Sequence, residues 1–225
     1  MKEFISNRSN EFKSIFALTL LCLVFLAIRL KLGYSEYKFF ILWNLFLAFI
    51  PYVLVMSLRL RESVHKVTLV VIIIVWLAFL PNAPYILSDL IHLTAAPSNY
   101  IIFEALFLLS YALCGLYLGY LSLRDMSIIL HDKGWLKKKV FIFIFQNTIL
   151  FLCAYGVYIG RELRWNSWDV INRPKDIVMD IAPLHQNPIE NKESWIFIGS
   201  MSIFLMLTYR AFTMMATHST LSKKP

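Results

Sequence analysis

Six stretches of this 225-residue chain are apolar over lengths that only a membrane or a large buried core can absorb: roughly 14–32, 39–58, 67–80, 101–121, 140–160 and 195–213. A transmembrane helix needs about 20 mainly apolar residues, and in hydrocarbon every backbone N–H and C=O must be paired within the segment. The composition agrees. Hydrophobic residues make up 59% and charged residues 16%, whereas soluble domains sit near half and a quarter. The sequence therefore predicts an all-α integral membrane protein, a single polytopic domain over 1–225 with about six transmembrane helices, short interfacial helices on the outer face and one longer polar outer loop, 161–193.

The +8 formal charge does not point to nucleic acid. Lys and Arg gather on the cytoplasmic side of polytopic proteins and at headgroups, and no phosphate loop, helix-turn-helix pattern or basic aromatic platform is present. Lys and Arg counted by side set the orientation. The N-tail (Lys2, Arg8, Lys13), the 59–66 loop (Arg59, Arg61, Lys66), the 122–139 loop (Arg124, Lys133, Lys137, Lys138, Lys139) and the C-terminal end (Arg210, Lys223, Lys224) carry 14. The opposite side carries 8: Arg29, Lys31, Lys38, Arg161, Arg164, Arg173, Lys175 and Lys192. Both termini are expected in the cytoplasm, with 81–100 and 161–193 facing outward. The first apolar run ends in bulky residues with no small-residue cleavage site, so it reads as a retained span.

Gly115/Gly119 and Gly156/Gly160 are spaced to let helices approach closely. They predict tight packing of spans four and five, with each other, with a neighbour, or with another membrane protein or a second copy. Pro51 is expected to kink span two, and Asn44, Gln146 and Asn147 to face protein. Cys22, Cys114 and Cys153 all lie in apolar runs, so they form no disulfide framework or CxxC knuckle and read as packing residues.

Two stretches break the pattern. LPNAPYILSDLIHL, residues 80–93, follows a run of only fourteen residues, Val67–Leu80, about 21 Å of helix against a hydrocarbon thickness of about 30 Å. Pro81 and Pro84 are expected to interrupt the helix at the outer edge of the membrane, with Asn82 satisfying freed backbone. From Tyr85 a short amphipathic helix is expected on the outer surface. It carries Tyr85, Ser88, Asp89 and His92 on one face and free N–H groups at its start, with Glu104 entering at the same level. GRELRWNSWDV, residues 160–170, emerges on the same outer side. Helix continued through it would gather Arg161, Arg164, Trp165 and Trp168 on one side, with Glu162, Asn166 and Asp169 on another.

Together these two segments resemble the signatures of a bacterial family of multipass membrane proteins classed as a domain of unknown function, over most of the chain from span two onward. The resemblance implies a bacterial plasma-membrane protein and no particular activity or catalytic residue.

Function is thus read from the residues. Asp89 and His92 fit a catalytic acid/base or orienting pair, since His titrates near neutral pH and a carboxylate can fix its tautomer. The plainer reading is a hydrogen-bonded clamp between helices. Arg161 and Arg164 fit either snorkelling to lipid phosphates or a substrate clamp, with Asn82, Tyr85, Asn166 and Asp169 completing a binding set. Asp-xx-His supplies only two ligands, and His185 in the outer loop has nothing to anchor it, so neither a metal nor a cofactor is expected. His65, His131 and His218 read as solvated. Around Pro174 a second interfacial helix is expected, with Ile177, Val178 and Ile181 on its apolar face. The leading function is an outer-face site for an anionic lipid or lipid-linked substrate, with transfer or hydrolysis as its chemistry. The alternatives are a small transporter or channel and a non-catalytic membrane assembly partner.

Overall fold

The computed structural model describes residues 8–33, 40–61, 63–95 and 97–221, and within them the chain is helical, with no strand. The helices are α1 (Ser9–Leu32), α2 (Phe40–Arg59), α3 (Lys66–Phe79), α4 (Asn82–Ser88), α5 (Ile101–Asp132), α6 (Lys139–Arg161), α7 (Asp169–Asn172), α8 (Pro174–Gln186) and α9 (Lys192–Leu221). Two 3₁₀ segments, Asp89–Ala95 and Ser98–Tyr100, link α4 to α5. Among the described residues, six helical stretches are long and apolar enough to cross a membrane. Of the charges behind the expected orientation, Lys2, Lys38, Lys223 and Lys224 lie outside the described residues, as does the His218 side chain. The chain divides into two compact units, residues 1–129 and 130–225.

In the first unit α1 and α5 face each other in one antiparallel register. Arg8 pairs with Asp125 at 2.5 Å, Thr19 meets the Cys114 sulfur at 3.8 Å, Tyr111 donates to the Cys22 carbonyl at 3.1 Å, and Arg29 Nε donates to Glu104 at 3.0 Å. Each step forward on α1 is matched by an equal step back on α5. The buried positions obey a seven-residue repeat on both helices: Arg8, Ile15, Cys22, Arg29 against Glu104, Tyr111, Leu118, Asp125. Seven residues fall just short of two full turns, so such a stripe stays on one seam when helices wrap gently around each other. The two ion pairs are 21 residues apart on each helix, about 31 Å at 1.5 Å per residue, which matches the hydrocarbon thickness of about 30 Å. Charge therefore sits at both membrane boundaries and the seam between them is mainly apolar.

The stretch expected to be a loop after residue 121 is helix to Asp132. The reason lies in its charges. Arg124 bridges Glu11 at 2.9 Å and Asp125 at 3.0 Å, and Arg59 at the end of α2 lies 4.0 Å from Asp125. Residues that read as loop polarity are buried partners of α1 and α2.

The prolines follow expectation in part: α3 ends at Phe79 and a new helix starts at Asn82, but the backbone between them does not leave the helical region. Leu80 (φ −58°, ψ −36°) and Pro81 (φ −60°, ψ −19°) keep right-handed helical backbone, and α4 begins one residue later. Pro84 falls in the first turn of α4, where its missing N–H is not needed. Span three therefore does not end at Leu80, and the stretch Lys66–Thr94 is long and apolar enough to cross as a whole. Nor does α4 rest on the surface. Ala83, Pro84 and Ile86 are buried, α4 packs on α2 as α3 does, and Gly115 and Gly119 of α5 receive it. A Cβ on Gly115 would stand 2.7 Å from the Ala83 carbonyl oxygen, and one on Gly119 would stand 2.8 Å from the Ala83 Cβ. The partner of the first glycine pair is thus the short helix. Trp76 of α3 completes the contact with α5, donating to Ser122 at 2.6 Å with both residues buried.

In the second unit α6 packs along α9, and Tyr158, Leu184 and Ile198 form a small core with Trp195 against it. Arg210 of α9 lies over the Phe143 ring at 4.2 Å. Asn147 does not look to another helix, because its amide donates to the Phe143 carbonyl at 2.7 Å on its own helix. Asn44 does face protein, as expected. Cys22, Cys114 and Cys153 are free and buried.

The Arg29–Glu104 pair provides a test of the register. Both side chains are at least nine-tenths buried, so Arg29→Leu strands a carboxylate and is expected to cost about 3–5 kcal/mol. Thermal unfolding in detergent should show this loss, and Arg29→Leu/Glu104→Leu should recover much of it.

Candidate functional site

The polar groups at 80–93 fall into two sets. Asn82 and Ser88 serve the backbone: the Asn82 amide donates to the Phe79 carbonyl at 2.8 Å, and the Ser88 hydroxyl donates to the Tyr85 carbonyl at 2.6 Å. The amide groups expected to be free at the start of this helix are taken. Ala83 N–H donates to the Leu80 carbonyl and Tyr85 N–H to that of Pro81, because the chain never leaves the helical region.

Asp89 and His92 form the second set. Asp89 follows the last residue of α4 and is 2% exposed. Its Oδ2 accepts from the Asn44 amide of α2 at 3.1 Å, and its Oδ1 lies 4.0 Å from His92 Nε2. That distance is too long for a hydrogen bond and within ion-pair reach. The His92 side chain is 48% exposed. A buried acceptor fixed from one side therefore stands behind an accessible imidazole. Asn44 lies 15 residues before Arg59, which meets Asp125, about 22 Å of helix, so Asp89 stands within the apolar layer on its Glu104 side, short of the boundary. Asn44 was legible only as a polar residue that should face protein. Its pairing with Asp89 needs the fold.

The 160–170 stretch is built in the second unit. α6 ends at Arg161, and Arg164 takes φ 59°, a left-handed conformation rare for a side chain other than glycine. Trp165 N–H closes the turn onto the Ile159 carbonyl at 3.3 Å. The expected face of Arg161, Arg164, Trp165 and Trp168 on one continued helix does not form. Beyond the turn, Asp169 accepts from Asn166 N–H at 2.9 Å and its amide at 3.3 Å, and from Arg173 at 3.3 Å. Arg173 stacks over Trp165 at 4.6 Å, whose indole N–H donates to Asp180 at 2.9 Å. Asn166 and Asp169 are thus occupied in closing a turn. Arg164 is exposed and makes no hydrogen bond or ion pair among the described residues.

His185 is anchored after all. Its Nε2 lies 2.8 Å from the Tyr155 hydroxyl and its ring meets Trp195 edge-on at 5.4 Å. These partners belong to α6 and α9, far from 185 in sequence. Among the described residues no group of three or more His, Cys, Asp or Glu could hold a metal.

The Asn166 backbone N–H holds the Asp169 carboxyl below the usual carboxylate range against the opposing effect of burial, with further help from Arg173. A depressed value stabilises the turn fully above the ordinary Asp value of about 4, and the contribution disappears as pH falls through the lower folded value. Amide protection of Asn166, corrected for intrinsic exchange, should hold at pH 7 and fall only as pH is lowered beyond the ordinary Asp value in the wild type. In Asp169→Asn it should be low at pH 7 as well.

No curated protein and no solved structure matches the chain. A family model described as a protein of unknown function (DUF1361) matches residues 43–208, a stretch that holds α3 to α8 and both unusual segments, and the chain belongs to that family.

Proposed function

We propose that Asn44, Asp89 and His92 form an acid/base site in the Glu104 half of the membrane that acts on an anionic lipid or lipid-linked substrate. The observation that carries this reading is the contrast within one pair: the carboxylate is buried and tethered by Asn44, while the imidazole 4.0 Å away is accessible. Buried polar groups that serve structure alone are normally matched by buried hydrogen-bond partners, whereas this imidazole is 48% exposed. An orienting acid behind an exposed base needs the arrangement found. Contacts of this kind often tighten only when substrate binds.

In the proposed step His92 takes the proton of an attacking water or hydroxyl, and that oxygen forms a bond to a headgroup or acyl centre. The same imidazole returns the proton to the leaving oxygen. Asp89 steadies the imidazolium, and Asn44 is a positioning residue that fixes Asp89. Ile91, next to His92 in the chain, is 61% exposed, which favours an amphiphile over a free polar metabolite. Arg161 and Arg164 belong to the second unit and are not part of the site proposed here, which the first unit carries by itself. Asn82, Asn166 and Asp169 leave the substrate set, since each already serves the backbone or a turn.

Mass-spectrometric profiles of lipids and envelope polymers from cells lacking the gene test this reading. A species altered by the deletion should return with the wild type and not with His92→Ala at matched expression. Restoration by His92→Ala, or no altered species, removes the catalytic assignment.

A further inference from the structure

Where α9 begins, a shallow cavity of about 560 Å³ is lined by Pro188, Ile189, Lys192, Trp195 and Ile196. It lies wholly in the second unit and shares no residue with the Asn44–Asp89–His92 group. Residues 192, 195 and 196 are three and four apart, so they occupy one face of the helix. Glu193 points about 100° away from that face, and Glu190 precedes the helix. Lys192 is the one charged residue of the lining, with Trp195 and Ile196 further along the helix and Pro188 and Ile189 before it. Lys192 is exposed and makes no ion pair among the described residues. Ile189 is 85% and Ile196 64% exposed, far more than a soluble surface would tolerate at adjoining positions.

Trp195 forms the back wall and is held from behind. Its indole N–H donates to the Leu184 carbonyl at 3.2 Å, and its ring packs against His185 and Tyr155, themselves hydrogen-bonded at 2.8 Å. A rigid aromatic wall, an apolar slot and a cation at one rim match a molecule with an acyl chain and an anionic head. Lys192 is the first residue of a membrane-crossing helix, so the slot runs from the headgroup level into the acyl region. We infer that this cavity holds an anionic phospholipid of the surrounding bilayer, with its phosphate at Lys192 and the upper part of a chain along Trp195 and Ile196.

The full chain, purified in micelles carrying equal phosphatidylglycerol and phosphatidylcholine, tests this by native mass spectrometry. The wild type should retain phosphatidylglycerol in about fivefold preference at one site, the ratio expected from one Lys contact with an anionic lipid surface. Lys192→Glu and the milder Lys192→Gln should bring that site to parity. Brominated-chain phosphatidylglycerol should also quench Trp195, measured as wild type minus Trp195→Phe. Equal retention of both lipids by the wild type, an unchanged preference in the Lys192 variants, or no quenching of Trp195 would overturn the assignment. None of these readouts depends on His92.

Discussion

Two buried ion pairs, one at each end of α1, set the frame of the first unit. Arg8 reaches Asp125 and Arg29 reaches Glu104, and their separation along both helices equals the thickness of hydrocarbon. A slip of one residue would separate both pairs and carry charge toward the lipid core, where each unpaired ion costs several kcal/mol. The register is thus held at both ends by electrostatics and filled between by Ile15, Cys22, Leu118 and Tyr111. α5 fixed in this way presents Gly115 and Gly119 to Ala83 and Ser122 to Trp76. Those contacts seat α4, and α4 delivers Asp89 to Asn44. The chain of causes runs from ion pair to register, from register to the seat of a short helix, and from that seat to a fixed carboxylate. α1 lies outside the family match at 43–208, yet it carries both arginines that balance the acids of α5.

Much of the fold was legible in the sequence because hydrocarbon imposes a simple rule on length and polarity. The six spans, the buried cysteines and the inward Asn44 follow from it. The failures share a physical origin. Arg124 and Asp125 read as loop residues because apolar counting stops at charge, whereas these charges find Arg8 and Glu11 more than a hundred residues away. The seven-residue repeat of Arg8, Ile15, Cys22 and Arg29 was present in the sequence, but it acquires meaning only beside the matching repeat on α5. Pro81 stands between α3 and α4 and Pro84 in the first turn of α4, and helical backbone runs through both.

The candidate site divides in the same way. Asp89 and His92 were visible as a pair three residues apart, while their unequal exposure was not, because it depends on how α4 packs on α2. The end of α6 agrees with the expected span, but the turn after it was not visible, since no glycine marks it and Arg164 takes the left-handed conformation instead. His185 gained its partners from α6 and α9 through tertiary contact alone.

The central claim is that Asp89 belongs to the scaffold while His92 is left accessible for chemistry. Thermal unfolding of Asp89→Ala and His92→Ala in the same detergent tests it most directly. Loss of Asp89 leaves the Asn44 amide buried without its acceptor and should cost about 1–3 kcal/mol. Loss of the exposed His92 should stay within about 0.5 kcal/mol of the wild type. Equal destabilisation by both substitutions would make the pair a structural clamp and contradict the account.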